Sequence, residues 1–177
     1  SGQAGVLSLK IGNTNPGTDN RYISFLDGND QVIGSIRRDG GGVMYLSNGA
    51  DFAEYFGISR NFAEQYAEQH GIFSVDSAFS VLHSSAFLPG TLVCLAADGI
   101  VPCDINNQNI IGVISDQAGF VGNSKFENDK TYALVGLLGQ IPVKTVDQDL
   151  QEGDALTVSE IPGKAKKATS AGMIIGR

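Results

Sequence analysis

Glycine-containing turns divide this chain into short apolar runs, and this pattern most limits the folds that it can adopt. Its 23 glycines fall between runs such as 21–26, 31–36 and 43–46, without a collagen-like period. Apolar runs of about four to eight residues that are bounded by Gly, Asp and Asn are typical of β-strands joined by tight turns. The sequence therefore predicts a mainly β protein.

The patterns along the chain predict two parts. Residues 1–46 contain only short strands and glycine turns, which predicts a fibre-like β segment. Residues 47–177 predict a compact β domain, a sandwich or barrel with one short helix. That helix is expected over residues 59–70, with Ser59 as its N-cap, and Gly71 suits its end. From residue 72 onward we expect strands to return.

The compact domain contains an internal repeat. Segments of about residues 88–115 and 151–177 both begin with a glycine turn and an apolar run, and both end in or near Ile-Ile-Gly. They predict a duplicated strand-turn-strand module. Two copies favour a pseudo-symmetric sandwich or barrel over a solenoid, which needs about three units.

Cys94 and Cys103 lie on either side of Asp98-Gly99, a dipeptide that favours a two-residue hairpin turn. Pairing about this turn places residue 94 opposite residue 103, where side chains approach most closely. This register permits a disulfide, and two small buried thiols are the alternative. His70 and His83 show no ligand spacing with the cysteines, so we expect no metal site.

Charge and hydropathy argue against several functional classes. The net charge is −7 and the basic residues are scattered, so nucleic acid is not an expected partner. No apolar run approaches the roughly 20 residues of a membrane helix, and no signal peptide is visible, so no membrane partner is expected. The first residue is serine, so we expect the natural chain to begin upstream. Without a phosphate loop or Ser-His-Asp spacing, neither a cofactor nor a conventional enzyme is expected.

The decapeptide Ser47–Phe56 places a serine, an aspartate and a glutamate beside a glycine turn, directly after a strand-like run. Ser47 could attack the Leu46 carbonyl, with Asp51 or Glu54 acting as base. Were this segment helical, the two carboxylates would lie on one face as an acid–base pair. Two alternatives remain: a carboxylate that activates water directly, with Ser47 only positioning, and a polar turn beside core aromatics.

The decapeptide resembles the start of the glutamic-peptidase-like cleavage domain of a known family. This family comprises the C-terminal autoproteolytic intramolecular-chaperone regions of phage neck appendage, tail spike and tail fibre proteins. The strands before the decapeptide, at 22–25 and 32–36, are similar to those that precede cleavage sites in such fibres. The runs 110–115 and 152–156 also resemble the family.

This resemblance implies a homotrimer whose C-terminal region assists assembly and which then cuts itself between Leu46 and Ser47. It implies Ser47, Asp51 and Glu54 as catalytic residues, and an upstream fibre shaft as partner. It further implies assembly in the host cytoplasm and a place in the virion tail or appendage. The peptidase activity would be intramolecular, with no other substrate. The site could form within one subunit or between two.

A rival interpretation is a non-catalytic fibre-tip module that binds a host surface glycan or receptor. The polar loop 116–130 would suit such recognition. Exposed aromatic side chains would contribute to the same surface, with these candidates: Tyr22, Tyr45, Tyr55, Phe120 and Phe126. The alternative for these aromatics is an ordinary place in the core.

Overall fold

The computed structural model describes five stretches of the chain: residues 8–12, 20–39, 42–46, 50–123 and 126–177. At residues 39 and 42–46 it describes the backbone alone. The chain divides into two units, Ser1–Gly49 and Ala50–Arg177. The boundary predicted from the sequence, between residues 46 and 47, lies three residues before this division.

The first unit contains an antiparallel sheet in the order β1-β2-β3, formed by Arg21–Leu26, Val32–Asp39 and Gly42–Leu46. Asp27 stabilises the β1–β2 turn, because its Oδ1 accepts hydrogen bonds from the backbone N–H groups of Gln31 at 2.9 Å and Asn29 at 2.8 Å. These bonds, Gln31 first, lower the pKa of Asp27. The predicted strand at 21–26 is confirmed.

The second unit is built on a six-stranded sheet in the order β6-β5-β7-β9-β4-β8. All neighbouring strands are antiparallel except β4 and β8. The sheet curls into a half-barrel, and a bridge between Ile58 and Ile100 joins the end of β4 to β6. The predicted mainly β class is confirmed. In chain order the strands are β4 (Asp51–Gly57), β5 (Leu92–Ala96), β6 (Gly99–Pro102), β7 (Ile110–Ile114), β8 (Phe120–Val121) and β9 (Tyr132–Gly139).

Two helices, α1 (Arg60–His70) and α2 (Val75–Ser85), share a hydrophobic core with this sheet. The predicted helix at 59–70 is confirmed as α1, which ends at Gly71 with a φ of 64°. The core is formed by small helical residues and larger strand residues, among them Ala63, Ala67, Phe79, Leu82, Val93, Ile100 and Val135.

Ser59 and Asp98 together cap the N-terminus of α1. The Ser59 hydroxyl accepts a hydrogen bond from Phe62 N at 3.1 Å and donates its own proton to Asp98 Oδ1 at 2.6 Å. Asp98 Oδ2 also accepts a bond from Asn61 N at 3.0 Å. These bonds, the Asn61 backbone first, hold the pKa of Asp98 below its ordinary value. A turn of the sheet thus supplies the negative charge that the first turn of α1 lacks.

Helix α2 was not predicted, because strands were expected from residue 72 onward. Its N-cap is Ser74, whose hydroxyl accepts a bond from Ser77 N at 3.2 Å. The helical signal is present in the sequence, since Val75, Ala78 and Leu82 recur at helical spacing. Ser74 and the serines within the helix hide this signal, since serine is typical of turns as well as of N-caps.

The β5–β6 hairpin differs from the predicted register. Cys94 pairs with Val101 rather than Cys103, and the turn is Ala97-Asp98. Gly99, with a φ of 152°, lies so close to the backbone of residues 57–59 that an added Cβ would be 2.7 Å from Ser59 N. Gly99 lies just after the turn residues, and both its positive φ and this close approach require glycine. A disulfide nevertheless joins Cys94 and Cys103, whose Cα atoms are 4.9 Å apart.

The C-terminal segment has the same pairing pattern as residues 88–115. Strands β10 (Leu156–Val158) and β11 (Ala165–Lys167) form an antiparallel pair, and a bridge joins Leu156 to Gly176. In the earlier segment, β5 pairs with β6, and Val93 lies opposite Gly112 of β7. The glycines that begin the two segments, Gly90 and Gly153, both have a positive φ, at 84° and 88°.

Two further observations concern membrane-spanning helices and clusters of metal ligands. Among the described residues, no helix is long and apolar enough to cross a membrane. Over the same residues, no cluster of three or more His, Cys, Asp or Glu side chains is arranged to hold a metal ion.

Candidate functional site

The structure describes the predicted cleavage site only in part. Leu46 is the last residue of β3 and is described by its backbone alone. Ser47 lies outside the described residues, and so does the predicted scissile bond that Leu46 forms with it. Asp51 begins β4, and Glu54 lies within this strand. The structure therefore describes the two carboxylates of the candidate site but not its nucleophile.

The segment that carries Asp51 and Glu54 is a strand, not the helix that would have brought these carboxylates together. Along a strand, side chains alternate between the two faces, so residues 51 and 54 face opposite sides of the sheet. Their Cα atoms are separated by roughly 10 Å, three steps of about 3.3 Å each. Within one chain, the two carboxylates do not form a pair that shares a proton.

The Asp51 side chain is buried on the face of the sheet against which Ile141 packs. Only 6% of its surface is exposed. A Cβ added at Gly136 of β9 would be 2.9 Å from Asp51 Oδ2 and closer still to Ile141 Cδ1. Within the described part of the chain, this oxygen has no hydrogen-bond partner. A buried carboxylate oxygen without a partner is costly, and such groups are concentrated where a function requires them.

Glu54 is half-buried on the opposite face, beside Gly122. A Cβ added at Gly122 would lie 2.8 Å from Glu54 Oε1 and 3.0 Å from its Cγ. Across the described ranges, no hydrogen bond or ion pair joins the Glu54 carboxylate to another side chain. The two candidate carboxylates thus occupy different environments and have different neighbours.

A short segment, residues 119–123, runs along the outer edge of β4, and we call it the strap. Gly119 N donates to Asp51 O at 2.8 Å, and Gly122 N donates to Ala53 O at 2.9 Å. The Asn123 side chain then continues the pairing. Its Oδ1 accepts from Tyr55 N at 2.6 Å, and its Nδ2 donates to Tyr55 O at 3.0 Å.

The strap is the part of the candidate site that the sequence analysis missed. Residues 116–130 were predicted as a polar loop, whereas the structure forms β8 within it. The available signal was weak, a single apolar pair, Phe120-Val121, between two glycines. The contact between Asn123 and Tyr55 joins residues 68 positions apart, which no local pattern predicts.

Three side chains form an apolar row across the sheet on the face of β4 that carries Glu54. Phe52 lies opposite Leu138 of β9 on one side and Phe120 of β8 on the other. The rings of Phe52 and Phe120 are stacked at a centroid distance of 5.3 Å. Leu138 and Phe120 are 76% and 62% exposed. An apolar row of this kind is a surface suited to contact with another molecule.

The other aromatic side chains proposed for recognition are less accessible. Tyr22 and Tyr55 are half-buried, and burial, followed by the charge of Glu127, raises the pKa of Tyr55. Phe126 is stacked on Tyr132 at 4.0 Å. The side chain of Tyr45 lies outside the described residues. Of the five candidates, Phe120 alone is seen to be exposed in the part that the structure describes.

An apolar cleft of about 910 Å³ opens where β7 and β9 separate. These strands pair only at Val113 with Gly136 and at Ile114 with Val135. The walls beyond this point are formed by the two strands and by the C-terminal residues 173–177. Gly136 lines this cleft and also packs against Asp51, so the cleft lies beside the carboxylate of the candidate site.

Comparison with known proteins gives a narrow result. No family model and no curated protein matches the chain. A solved structure, the pre-mature gene product 12 of bacteriophage phi29, is similar, with a TM-score of 0.48 and 20% sequence identity. The match covers 82% of this chain and 22% of that chain, so this chain spans about a fifth of the phage protein's length. The similar structure is thus a bacteriophage protein.

Proposed function

We propose that this chain is the C-terminal domain of a phage tail fibre or appendage protein, and that it assists trimer assembly and cuts its own backbone between Leu46 and Ser47. Two observations support this proposal. The decapeptide Ser47–Phe56 resembles the cleavage motif of that family. The observation that carries the chemistry is Asp51, a buried carboxylate with an oxygen that has no partner, four positions after Ser47.

In the first route, Ser47 is the nucleophile. Its Oγ attacks the Leu46 carbonyl carbon, Asp51 accepts the hydroxyl proton, and the proton passes to the departing backbone nitrogen. The C–N bond breaks and an ester joins Leu46 to Ser47 Oγ. Water then hydrolyses this ester, leaving a carboxylate on Leu46 and a free amine on Ser47. A carboxylate removes the proton from that water.

In the second route, a carboxylate takes a proton from water, and the water oxygen attacks the Leu46 carbonyl carbon directly. The C–N bond then breaks, and the proton passes to the departing nitrogen of Ser47, which leaves a carboxylate on Leu46. Ser47 then only positions the bond, through a hydrogen bond. Both routes need a carboxylate, and Asp51 is the one nearer in sequence to the bond. Glu54 lies on the other face of β4, so it could serve the same bond only from a different direction or from another subunit.

Time-resolved intact-mass measurement tests the proposal. We expect the wild-type chain to separate into pieces that end at Leu46 and begin at Ser47, whereas Asp51→Asn and Glu54→Gln cleave only at a small residual rate. Ser47→Ala distinguishes the two routes: loss of cleavage supports the ester, and cleavage at the normal rate supports direct attack by water. A wild-type chain that stays intact indefinitely as a folded trimer would falsify self-cleavage.

The assembly role is proposed on different grounds. Four large apolar side chains of the β1–β2 hairpin are substantially exposed, at 41% to 52%: Phe25, Leu26, Val32 and Ile33. A three-stranded sheet of this size has little stability alone. Packing of three copies about a common axis would cover these side chains and join the chain to an upstream fibre shaft. A virion tail or appendage, assembled in the host cytoplasm, is the setting that this role implies.

A second candidate function is recognition of a host surface glycan or receptor by a non-catalytic fibre tip. The exposed apolar row around Phe52 and Phe120 favours it, because aromatic faces stack on the apolar faces of sugars. We expect Phe120→Ala to weaken binding to a panel of bacterial surface polysaccharides. Phe73→Ala is the matched control, since Phe73 is fully exposed in the α1–α2 loop. Equal binding by both variants argues against recognition at this row.

A further inference from the structure

We infer that the strap, residues 119–123, positions the Glu54 carboxylate for self-cleavage, with Gly122 and Asn123 as positioning residues. This inference rests on the proposed function and adds to it two residues outside the decapeptide. It holds whether the bond that Glu54 serves belongs to its own chain or to a neighbouring one. Two sets of contacts, and the absence of a partner for the Glu54 carboxylate, support it.

The first set holds the backbone on both sides of Glu54. Gly122 N donates to Ala53 O at 2.9 Å, directly before Glu54. The Asn123 side chain bonds to both the N–H and the C=O of Tyr55, directly after Glu54, at 2.6 Å and 3.0 Å. On the opposite edge of β4, Ala53, Glu54 and Tyr55 all pair with residues of β9. The main chain at Glu54 is therefore held from both edges.

The second set limits the side chain itself. The Glu54 carboxylate lies over Gly122, where an added Cβ would be 2.8 Å from Oε1. No real side chain approaches so closely, so only glycine leaves the carboxylate in this position. The φ of Gly122 is not among the positive values, which means that backbone conformation does not require glycine here. The space that Glu54 occupies is the remaining reason for it in this structure.

The third observation is what the carboxylate lacks. Over the part of the chain that the structure describes, no cation or hydrogen-bond donor is paired with Glu54. Some other carboxylates of this unit, unlike Glu54, are engaged, such as Asp154 with Lys167 at 2.8 Å and Asp98 with Ser59. A carboxylate that has no partner, on a main chain that is held at both edges, is suited to accept a proton from a reacting group.

Gly122→Ala tests the inference with little risk to the fold. The methyl group would meet the Glu54 side chain, at Oε1 and Cγ, and no backbone atom is among its nearest neighbours, so we expect the side chain to move while the backbone stays in place. Because a displacement of about 1 Å at a reacting group can cost on the order of a hundredfold in rate, we expect self-cleavage to slow by at least about tenfold. Gly172→Ala is the matched control, since nothing lies within 4 Å of a Cβ added there.

A double-mutant cycle separates positioning from general stability. If Gly122 acts through Glu54, Gly122→Ala has no further effect on the residual cleavage of a Glu54→Gln chain. Asn123→Ala should slow cleavage as well, and Asn123→Asp should restore little of it, because a carboxylate cannot donate to Tyr55 O. Far-UV circular dichroism and the melting temperature report whether each variant folds as the wild type does.

The outcomes distinguish this inference from the proposal on which it rests. Slow cleavage in Gly122→Ala that is absent from Gly172→Ala and not additive with Glu54→Gln supports the strap. If wild type and Gly122→Ala cleave equally fast, the strap inference is wrong while self-cleavage stands. The same conclusion follows if Glu54→Gln cleaves normally. A wild-type chain that never cleaves overturns both.

Discussion

Asp51 of the decapeptide differs from three other aspartates that the structure describes. Asp27, Asp98 and Asp154 each accept hydrogen bonds that lower the pKa of the carboxyl group, and each stabilises a turn or a helix end. Asp51 is more deeply buried than any of them, yet its Oδ2 has no partner in the described residues. Burial without compensation costs folding free energy, which a residue with only a structural role would not be expected to impose.

This difference predicts how replacing Asp51 changes the stability of the fold. Replacing a buried polar group that lacks a partner is nearly neutral or stabilising, because the desolvation penalty of about 1–3 kcal/mol is removed with the group. We expect Asp51→Ala to change the free energy of unfolding in urea by less than about 1 kcal/mol, or to raise it, while self-cleavage is lost. Val135→Ala, which removes buried methyl groups nearby, should lower the free energy of unfolding by about 1–3 kcal/mol.

The opposite result has a clear meaning. A loss of several kcal/mol in Asp51→Ala, as large as that in the core variant, would identify Asp51 as a structural hydrogen-bond partner. The catalytic assignment of Asp51 would then lose the structural observation that supports it, and only the resemblance of the decapeptide would remain.

At the scale of elements, local patterns predicted what local forces determine. Strand β1 and helix α1 were predicted from turn residues and from the Ser59 cap, and both are confirmed. The β5–β6 register was wrong, because Gly99 lies just after the turn residues, where its approach to the backbone at Ser59 also requires glycine. The strap was missed for the same reason, since Asn123 and Tyr55 meet only in the folded chain.

The α1 cap gives a prediction about pH. The pKa of Asp98 is lowered in the folded state, so its ionised form stabilises the fold above the unfolded-state value, 3.8, and this contribution is lost as pH falls through the folded value. We expect Asp98→Asn to lower the melting temperature at pH 7 by a few degrees and to have little effect at pH 2. Thermal unfolding followed by circular dichroism measures this.

The control for the helix cap is an exposed aspartate without a capping role. Asp76→Asn, in the first turn of α2, should show a smaller difference between pH 7 and pH 2. Equal melting temperatures for wild type and Asp98→Asn at pH 7 would contradict the capping role, whatever the result at low pH.

The disulfide predicts a second effect on stability. Cys94 and Cys103 are both fully buried and close a loop with a sequence separation of nine. For a loop of this size, the chain-entropy model gives roughly 2.5–3 kcal/mol, and the existing hairpin reduces this value. We expect Cys94→Ala/Cys103→Ala to lower the free energy of unfolding in urea by about 1–3 kcal/mol. Under reducing conditions, wild type and the double variant should become equally stable.

At the scale of the whole molecule, the geometry of β4 would link the proposed cleavage to the proposed assembly. Asp51 and Glu54 face opposite sides of the strand, so a site that needs both would draw them from two chains. Such a site exists only after assembly, and a fibre would then cut itself only once the trimer has formed. A site contained within one chain would cut unassembled chains as well.

Mixed trimers test this arrangement. Chains with Asp51→Asn and chains with Glu54→Gln, distinguished by mass, are co-expressed in equal amounts, and each is also expressed alone as the control. Alone, each variant is expected to cleave only at its small residual rate. In random mixed trimers with cyclic symmetry, three quarters contain both chains, and one site in three of these combines an intact Asp51 with an intact Glu54 of the neighbour, so about one quarter of all sites should cleave. If the mixed sample stays uncut while wild type cleaves, both carboxylates act within one chain. Asp51 and Glu54 of the same chain must then both reach the scissile bond, although they face opposite sides of β4.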